Sequence, residues 1–245
     1  MAVGERSQQA STQPAATALL RERARSLHHP LTRALLVLTF TAGLVDAACF
    51  LGLGRVFTAN MTGNVVLLGF GVAGSGGLPV TAPLISLAAF TAGAAVGGWI
   101  ASRLENRHPE HLARTVAMET ALVGSAAVIA AAASVRAGSA SAYTVIALLA
   151  MAMGTRSATV RRIGVPDLST TVLTMTLTGL ASDLPLFGGS ARGAVRRSAA
   201  VFSMFSGALV GALLLRQSVA LPLTLAAALA LAVFVGYPPA ERRAR

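Results

Sequence analysis

Apolar residues in this chain come in long runs rather than in short alternating segments. Eight runs fall near residues 34–54, 60–75, 79–102, 115–135, 137–155, 168–187, 198–215 and 217–237. A helix needs about 20 apolar residues to cross a bilayer core, and several of these runs approach that length. The alternating strands of a membrane β-barrel are absent. The pattern predicts an all-α fold, a polytopic transmembrane helix bundle. Two runs are unusually polar. The second is short and opens with Asn60, Thr62 and Asn64. The sixth follows Val165-Pro-Asp167 and carries Ser169, Thr170, Thr171, Thr174, Thr176, Thr178, Ser182 and Asp183.

Charge placement separates six crossings from eight. All 20 basic residues are Arg. If every run crosses and the N-terminus is cytoplasmic, 12 Arg lie inside and eight outside. If runs two and six instead enter and leave by the same face, 17 lie inside, and only Arg55, Arg136 and Arg216 lie outside. The positive-inside rule favours the second arrangement, about six spans plus two polar broken or re-entrant helices. Re-entrant backbone is tolerated only where protein or water covers it, so a buried polar centre is expected.

The chain also repeats itself in outline. Gly43-Leu-Val-Asp46-Ala aligns with Gly154-Thr-Arg-Ser157-Ala, and Asn60-Met-Thr62-Gly63-Asn64 with Val172-Leu-Thr174-Met175-Thr176. Gly93-Ala-Ala-Val-Gly97 aligns with Gly207-Ala-Leu-Val-Gly211, the three offsets being 111, 112 and 114 residues. Three spans and one broken helix per half would give the halves opposite orientations, the inverted-repeat plan of many secondary transporters. The expected organisation is a disordered, Arg-rich cytoplasmic tail at 1–33 and a single transmembrane domain at 34–238. Its halves fall near 34–135 and 137–238, and a basic cytoplasmic tail follows at 239–245. No short apolar stretch with a cleavage site precedes Ala34, so the tail does not read as a secretory signal.

Composition narrows the function classes. The chain is 54% hydrophobic and 12% charged, against about 25% charged in soluble domains. The net charge of +11 could suggest nucleic acid. The Arg residues sit between apolar runs, however, and no binding module accompanies them, so no nucleic-acid partner is expected. Cys49 is the single cysteine, and His28, His29, His108 and His111 lie in polar linkers. Neither a metal site nor a cofactor is expected. No Ser/His/Asp set, paired catalytic carboxylates or nucleotide-binding Gly loop is present, so an enzyme is not expected.

Asp46 is the foremost candidate for chemistry. It sits inside the first apolar run, where a carboxylate costs about 2.5–3.5 kcal/mol on insertion scales and usually faces protein or water. It can take up a proton, or bond to a neighbouring helix as a packing residue. Glu119, about one turn into the fourth run, is a second proton- or ion-coupling candidate. Its plainer reading is interfacial, at the headgroups or paired with Arg114. Asn60, Thr62, Gly63 and Asn64 offer amides, a hydroxyl and bare backbone to a small ligand, or else a capped helix start. Thr171, Thr174 and Thr178 share one helical face. Their hydroxyls can line a polar path or bond back to the helix. Arg55 and Arg156 flank the two breaks and could neutralise Asp46 or meet an anion, although Arg156 also reads as a cytoplasmic end-anchor. Gly93, Gly97, Gly207 and Gly211 form two GxxxG pairs for close helix packing, within the chain or between subunits.

Several of these residues carry a family likeness. Thr39-Phe-Thr-Ala-Gly-Leu-Val-Asp46-Ala, then Leu53-Gly-Arg55-Val-Phe-Thr-Ala-Asn60-Met-Thr-Gly-Asn64, then Gly154 and Val165-Pro-Asp167 with Thr170-Thr-Val-Leu-Thr174, resemble the YoaK-like family of bacterial integral membrane proteins. The resemblance covers roughly residues 34–237. Met175 stands where that pattern has Gly, and Arg156-Ser157 where it has an amide-containing Gln-Asn pair. The likeness implies a multi-span membrane protein, commonly six-span, and no established substrate or reaction.

The expected function is a small secondary transporter or permease of the bacterial inner membrane, with a cytoplasmic N-terminus. It would move an unknown small solute, with proton coupling through Asp46. The alternative is a non-transporting membrane interaction or assembly protein. Membrane lipid is an expected partner, and a homodimer is compatible with the length.

Overall fold

Long apolar runs with few helix breakers can satisfy every backbone group inside a bilayer only as helices, and helices are what form. A computed structural model describes residues 30–103, 108–133, 135–163, 173–182 and 191–244. Among them are eight α-helices and no strand. The first half contains α1 (Pro30–Ala48), α2 (Met61–Val72), α3 (Thr81–Arg103) and α4 (His108–Ala132). The second contains α5 (Ala140–Ile163), α6 (Leu173–Ser182), α7 (Ala191–Leu215) and α8 (Ala220–Ala244). Pro30–Gly54, which is α1 with the π-helical turn that follows it, and segments within α3, α4, α5 and α7 are long and apolar enough to cross a membrane. The apolar part of α8, Ala220–Gly236, is slightly shorter. The chain is therefore a polytopic helical membrane protein. At 1.5 Å per residue, the 12 residues of α2 reach only about 18 Å, too short to cross.

Helix ends differ from the apolar runs in an instructive way. α5 continues to Ile163 and so carries Arg156 within the helix, while α7 starts at Ala191 and α4 at His108. Apolar counting stops at a charge, but helical hydrogen bonding does not, and long Arg stems tolerate an apolar setting. Pro30 opens α1, a position where its missing N–H costs nothing. Residues 30–33 thus belong to the bundle, and the remainder of the expected N-terminal tail lies outside the described residues. The expected C-terminal tail is continuous with α8 up to Ala244.

α1 and α5 are the inner helices: 67% and 61% of their spanning windows are buried, against 22% for α3 and 17% for α7. Packing runs across the two halves. α1 lies on α7, α5 lies on α3, and α4 lies on α8. The first two contacts are glycine-mediated. A Cβ on Gly43 of α1 would run into the Met204 carbonyl and Ala208 nitrogen of α7, and one on Gly207 into the Phe40 carbonyl of α1. In the other pair, Gly154 of α5 abuts the Phe90 carbonyl of α3, and Gly93 abuts the Met151 carbonyl of α5. One turn on, a Cβ on Gly211 would lie 2.9 Å from Ala47 Cβ, and one on Gly97 2.8 Å from the Thr155 carbonyl. Both GxxxG pairs therefore pack within the chain. Leu44, Val45, Ile146, Leu149, Met153 and Leu223 fill the core between these contacts.

α1 does not end cleanly. Cys49–Gly54 widens into a π-helical turn, closed by the Arg55 N–H bonding to the Phe50 carbonyl at 3.2 Å. Arg55 is left-handed (φ 54°, ψ 47°), unusual for a residue with a side chain. From there the chain doubles back beside α1, and that return builds the site.

Candidate functional site

Non-helical backbone within a membrane protein needs acceptors for its N–H groups. Asp46 supplies one for the return segment. Its Oδ1 accepts the Thr58 N–H at 2.7 Å, the Thr58 hydroxyl at 3.0 Å and the Ala59 N–H at 3.0 Å. Asp46 is 5% exposed. Its other oxygen, Oδ2, has no hydrogen-bond partner among the described residues. The carboxylate is thus half committed: one oxygen holds the fold, and the other remains available.

Asn64 fixes the same segment from the far side. Its Oδ1 accepts the Phe57 N–H at 2.8 Å, and its Nδ2 donates to the Phe57 carbonyl at 2.6 Å and to Ser86 Oγ at 3.1 Å. Ser86 donates in turn to the Phe57 carbonyl at 2.7 Å. An amide is suited to this work because it offers a donor and an acceptor side by side, as a neighbouring strand would. Asn60 caps α2, its Oδ1 accepting the Gly63 N–H at 3.2 Å. Gly63 lets the Phe57 ring approach, since a Cβ there would lie 2.9 Å from the ring. That ring stacks on Phe50 with centroids 4.8 Å apart.

These features wall a cavity of about 590 Å³. Asp46, Asn60, Thr62 and Gly63 reach it from the first half, Thr174 and Leu177 from α6, and Met204 from α7. Four polar candidates from the sequence, with Gly63, therefore meet in one place, contributed by both halves. The others lie elsewhere. Asn64 is fully buried on the Phe57 backbone. Thr178 donates back to the Thr174 carbonyl at 2.9 Å and does not line the cavity. Thr171 lies outside the described residues. Arg55 lines a separate cavity of about 340 Å³ with Gly54, Pro79, Gly138 and Tyr143.

Glu119 and Arg156 form a second buried polar centre. Arg156 donates Nε to Glu119 Oε2 at 2.9 Å and Nη2 to Glu119 Oε1, a two-pronged pair between α5 and α4. It also donates to the Leu38 carbonyl and to Thr41 Oγ1 (3.0 Å) on α1. Glu119 is 0% and Arg156 2% exposed, so neither sits at the headgroups as the sequence suggested. Sequence reasoning also missed Thr41, Thr58 and Ser86. The available signal was an isolated acid and an isolated base in apolar helices, each needing a partner. Among the described residues, no group of three His, Cys, Asp or Glu side chains could hold a metal.

Comparison with known proteins follows the same stretch. Residues 34–236 match the family described as Protein of unknown function (DUF1275). Over 149 residues the chain is 33% identical to the UPF0700 transmembrane protein YoaK of Bacillus subtilis (strain 168). That match spans 60% of this chain and 64% of the relative's length. No solved structure matches the chain.

Proposed function

The chain belongs to the DUF1275 family, and on that premise we propose that it is a small secondary transporter of the bacterial inner membrane, coupled to protons through Asp46. One observation carries the reading: a single cavity joins the half-committed carboxylate and polar return of the first half to α6 and α7 of the second. Transporter sites are characteristically placed at such junctions, beside interrupted helices. Thr58 and Ala59 hold Asp46 Oδ1 in either protonation state, leaving Oδ2 as the proton's place. Asn60, Thr62 and Thr174 would hold the solute. Rocking of one half against the other would expose the cavity alternately to the two faces.

The helix contacts support an internal repeat, and the Arg distribution supports its inversion. Shifting residue numbers by the sequence offsets turns the Gly43–Gly207 contact into the Gly154–Gly93 contact. The same shift turns Gly211 on Leu44 and Ala47 into Gly97 on Thr155 and Ala158. With α2 and α6 as re-entrant elements, the Arg distribution supports a cytoplasmic N-terminus, although Arg156 is buried in the bundle rather than in a loop. The topology test replaces Cys49 with Ser and places one reporter by Asn106→Cys. A membrane-impermeant maleimide should label it only after cell lysis. Labelling of intact cells would put position 106 outside and remove the inverted arrangement.

The interaction-protein alternative draws on the GxxxG faces and the Arg-rich tail; the GxxxG faces are occupied inside the chain, and residues 1–29 of the tail lie outside the described residues. A direct test uses proteoliposomes with an internal pH dye and a panel of cationic, neutral and anionic solutes. Solute-driven proton flux is expected in the wild type and absent in Asp46→Asn. Unchanged uptake and pH dependence in Asp46→Asn would overturn the coupling. A silent panel, with one protein copurifying, would favour the alternative.

A further inference from the structure

We infer that the solute class of the Asp46 cavity is a small organic cation: a protonated amine on an apolar or aromatic body that exchanges with a proton at Asp46 Oδ2. This rests on the transport reading above and adds the chemistry of its solute.

Asp46 is the one ionisable side chain lining the cavity among the described residues. When ionised, it places a full negative charge in a buried site with one oxygen already saturated. Burying such a charge is costly unless it is paired and hydrogen-bonded. An ammonium supplies both the opposite charge and an N–H donor for Oδ2. A neutral solute supplies only the donor, and an anion adds like-charge repulsion. The rest of the wall suits an amine's carbon body. Phe50 and Phe57 contribute a stacked aromatic pair to the wall, and an outer face of such a pair attracts cations. Val66, Leu67, Leu177 and Met204 complete an apolar lining. The start of α2 also borders the cavity and works against a cation, but it amounts to about half an elementary charge. Asn60 Oδ1 already takes the Gly63 N–H of that first turn.

Other charges do not replace the ligand. Arg156 on α5 lies within electrostatic reach of Asp46, but both faces of its charge are committed to Glu119 on α4 and to α1. The Cys49 thiol is the other ionisable neighbour, at the start of the π-helical turn that follows α1. Helices α2, α7 and α8 bring no ionisable side chain to the cavity among the described residues. A proton on Oδ2 removes the negative charge that pairs the ammonium, so proton and ammonium exclude one another. Binding R–NH3+ to the protonated site releases one H+ from Oδ2, so the charge of the loaded site does not change. Movement of the amine one way and the proton the other follows from that exclusion.

The test uses purified full-length protein in lipid nanodiscs, with empty nanodiscs subtracted. Benzylammonium, benzyl alcohol and benzoate are close in size and differ in charge. Calorimetry in two buffers of different ionisation heat gives affinity and protons released at several pH values. Benzylammonium should bind roughly tenfold or more tightly than benzyl alcohol, with benzoate weakest. Its affinity should fall as pH is lowered, with proton release, while benzyl alcohol shows neither effect. Asp46→Asn should bring benzylammonium down to the alcohol's affinity and abolish its pH dependence. The Asn Oδ1 can still accept from Thr58 and Ala59, so the fold should persist. Phe50→Leu should weaken benzylammonium by a severalfold larger factor than benzyl alcohol, which provides an independent variant. Preference for benzoate, equal affinities, or no binding of any of the three overturns the cation assignment. Proton-displacing benzylammonium binding without flux in proteoliposomes would instead sink the transport reading and leave the cation site standing.

Discussion

Asp46 and Glu119 are both carboxylates buried in one helix bundle, and the bundle treats them oppositely. Glu119 meets a guanidinium head-on, with both oxygens engaged by Arg156, which is itself anchored to Leu38 and Thr41 of α1. That centre ties α1, α4 and α5 together and leaves neither Glu119 oxygen without a partner. Asp46 meets only neutral donors, all on one oxygen, and lines a cavity with the other unclaimed. Burial alone therefore does not mark a working acid. The distinguishing property is an unfilled hydrogen-bonding position on a space large enough to admit something.

The sharpest way to break this contrast is to unpair the closed centre. Arg156→Met leaves Glu119 charged and alone, and removing one member of a buried pair costs about 3–5 kcal/mol. Thermal unfolding in detergent should show a large loss. Glu119→Leu combined with Arg156→Met should recover most of it, because an apolar pair of similar volume needs no compensation. If the single variant unfolds like the wild type, the pair is not a brace, and Glu119 regains its claim to a functional role.

Asn64→Ala comes next, and it tests whether the return segment is built or merely tolerated. Phe57 would lose the partner of its N–H and one partner of its carbonyl. An unsatisfied buried donor costs about 1–3 kcal/mol. Thermal unfolding should register that loss, and affinity for any cavity ligand should fall with it, since Asn60 and Gly63 would no longer be held. A loss of binding with no loss of stability would return Asn64 to the ligand-contact role that its sequence position suggested.

That reassignment shows where the sequence stopped being legible. Eight apolar runs became eight helices because run length and backbone satisfaction in a membrane are local properties. Asp46 and the Asn60–Gly63 turn were visible for a similar reason: polar groups inside an apolar run are expensive wherever the helices pack. The use of an amide is not local. Asn64 can serve a ligand or a neighbouring carbonyl, and only the proximity of Phe57 and Ser86, seven and 22 residues away, decides it. Arg156 and Glu119 lie 37 residues apart, and their pairing depends on α5 running past its last apolar turn. The threonines divided on a still finer scale. Helical spacing put Thr174 and Thr178 on one face, but only Thr174 reaches the cavity, and Thr178 bonds to its carbonyl.

The smallest stability effect should come from the residue with the largest functional one. Asp46→Asn keeps an acceptor at Oδ1 for Thr58 and Ala59 and changes only the open oxygen, so unfolding should shift by no more than about 1 kcal/mol. Asp46→Ala removes that acceptor. Two backbone N–H groups and a hydroxyl would lose it, at about 1–3 kcal/mol for each group left unsatisfied. The two variants should therefore separate in thermal unfolding while both lose pH-dependent ligand binding. Equal destabilisation would mean that the charge, not the acceptor, holds the return segment in place. Asp46 would then be a structural acid like Glu119, and the cavity would need another residue to carry its proton.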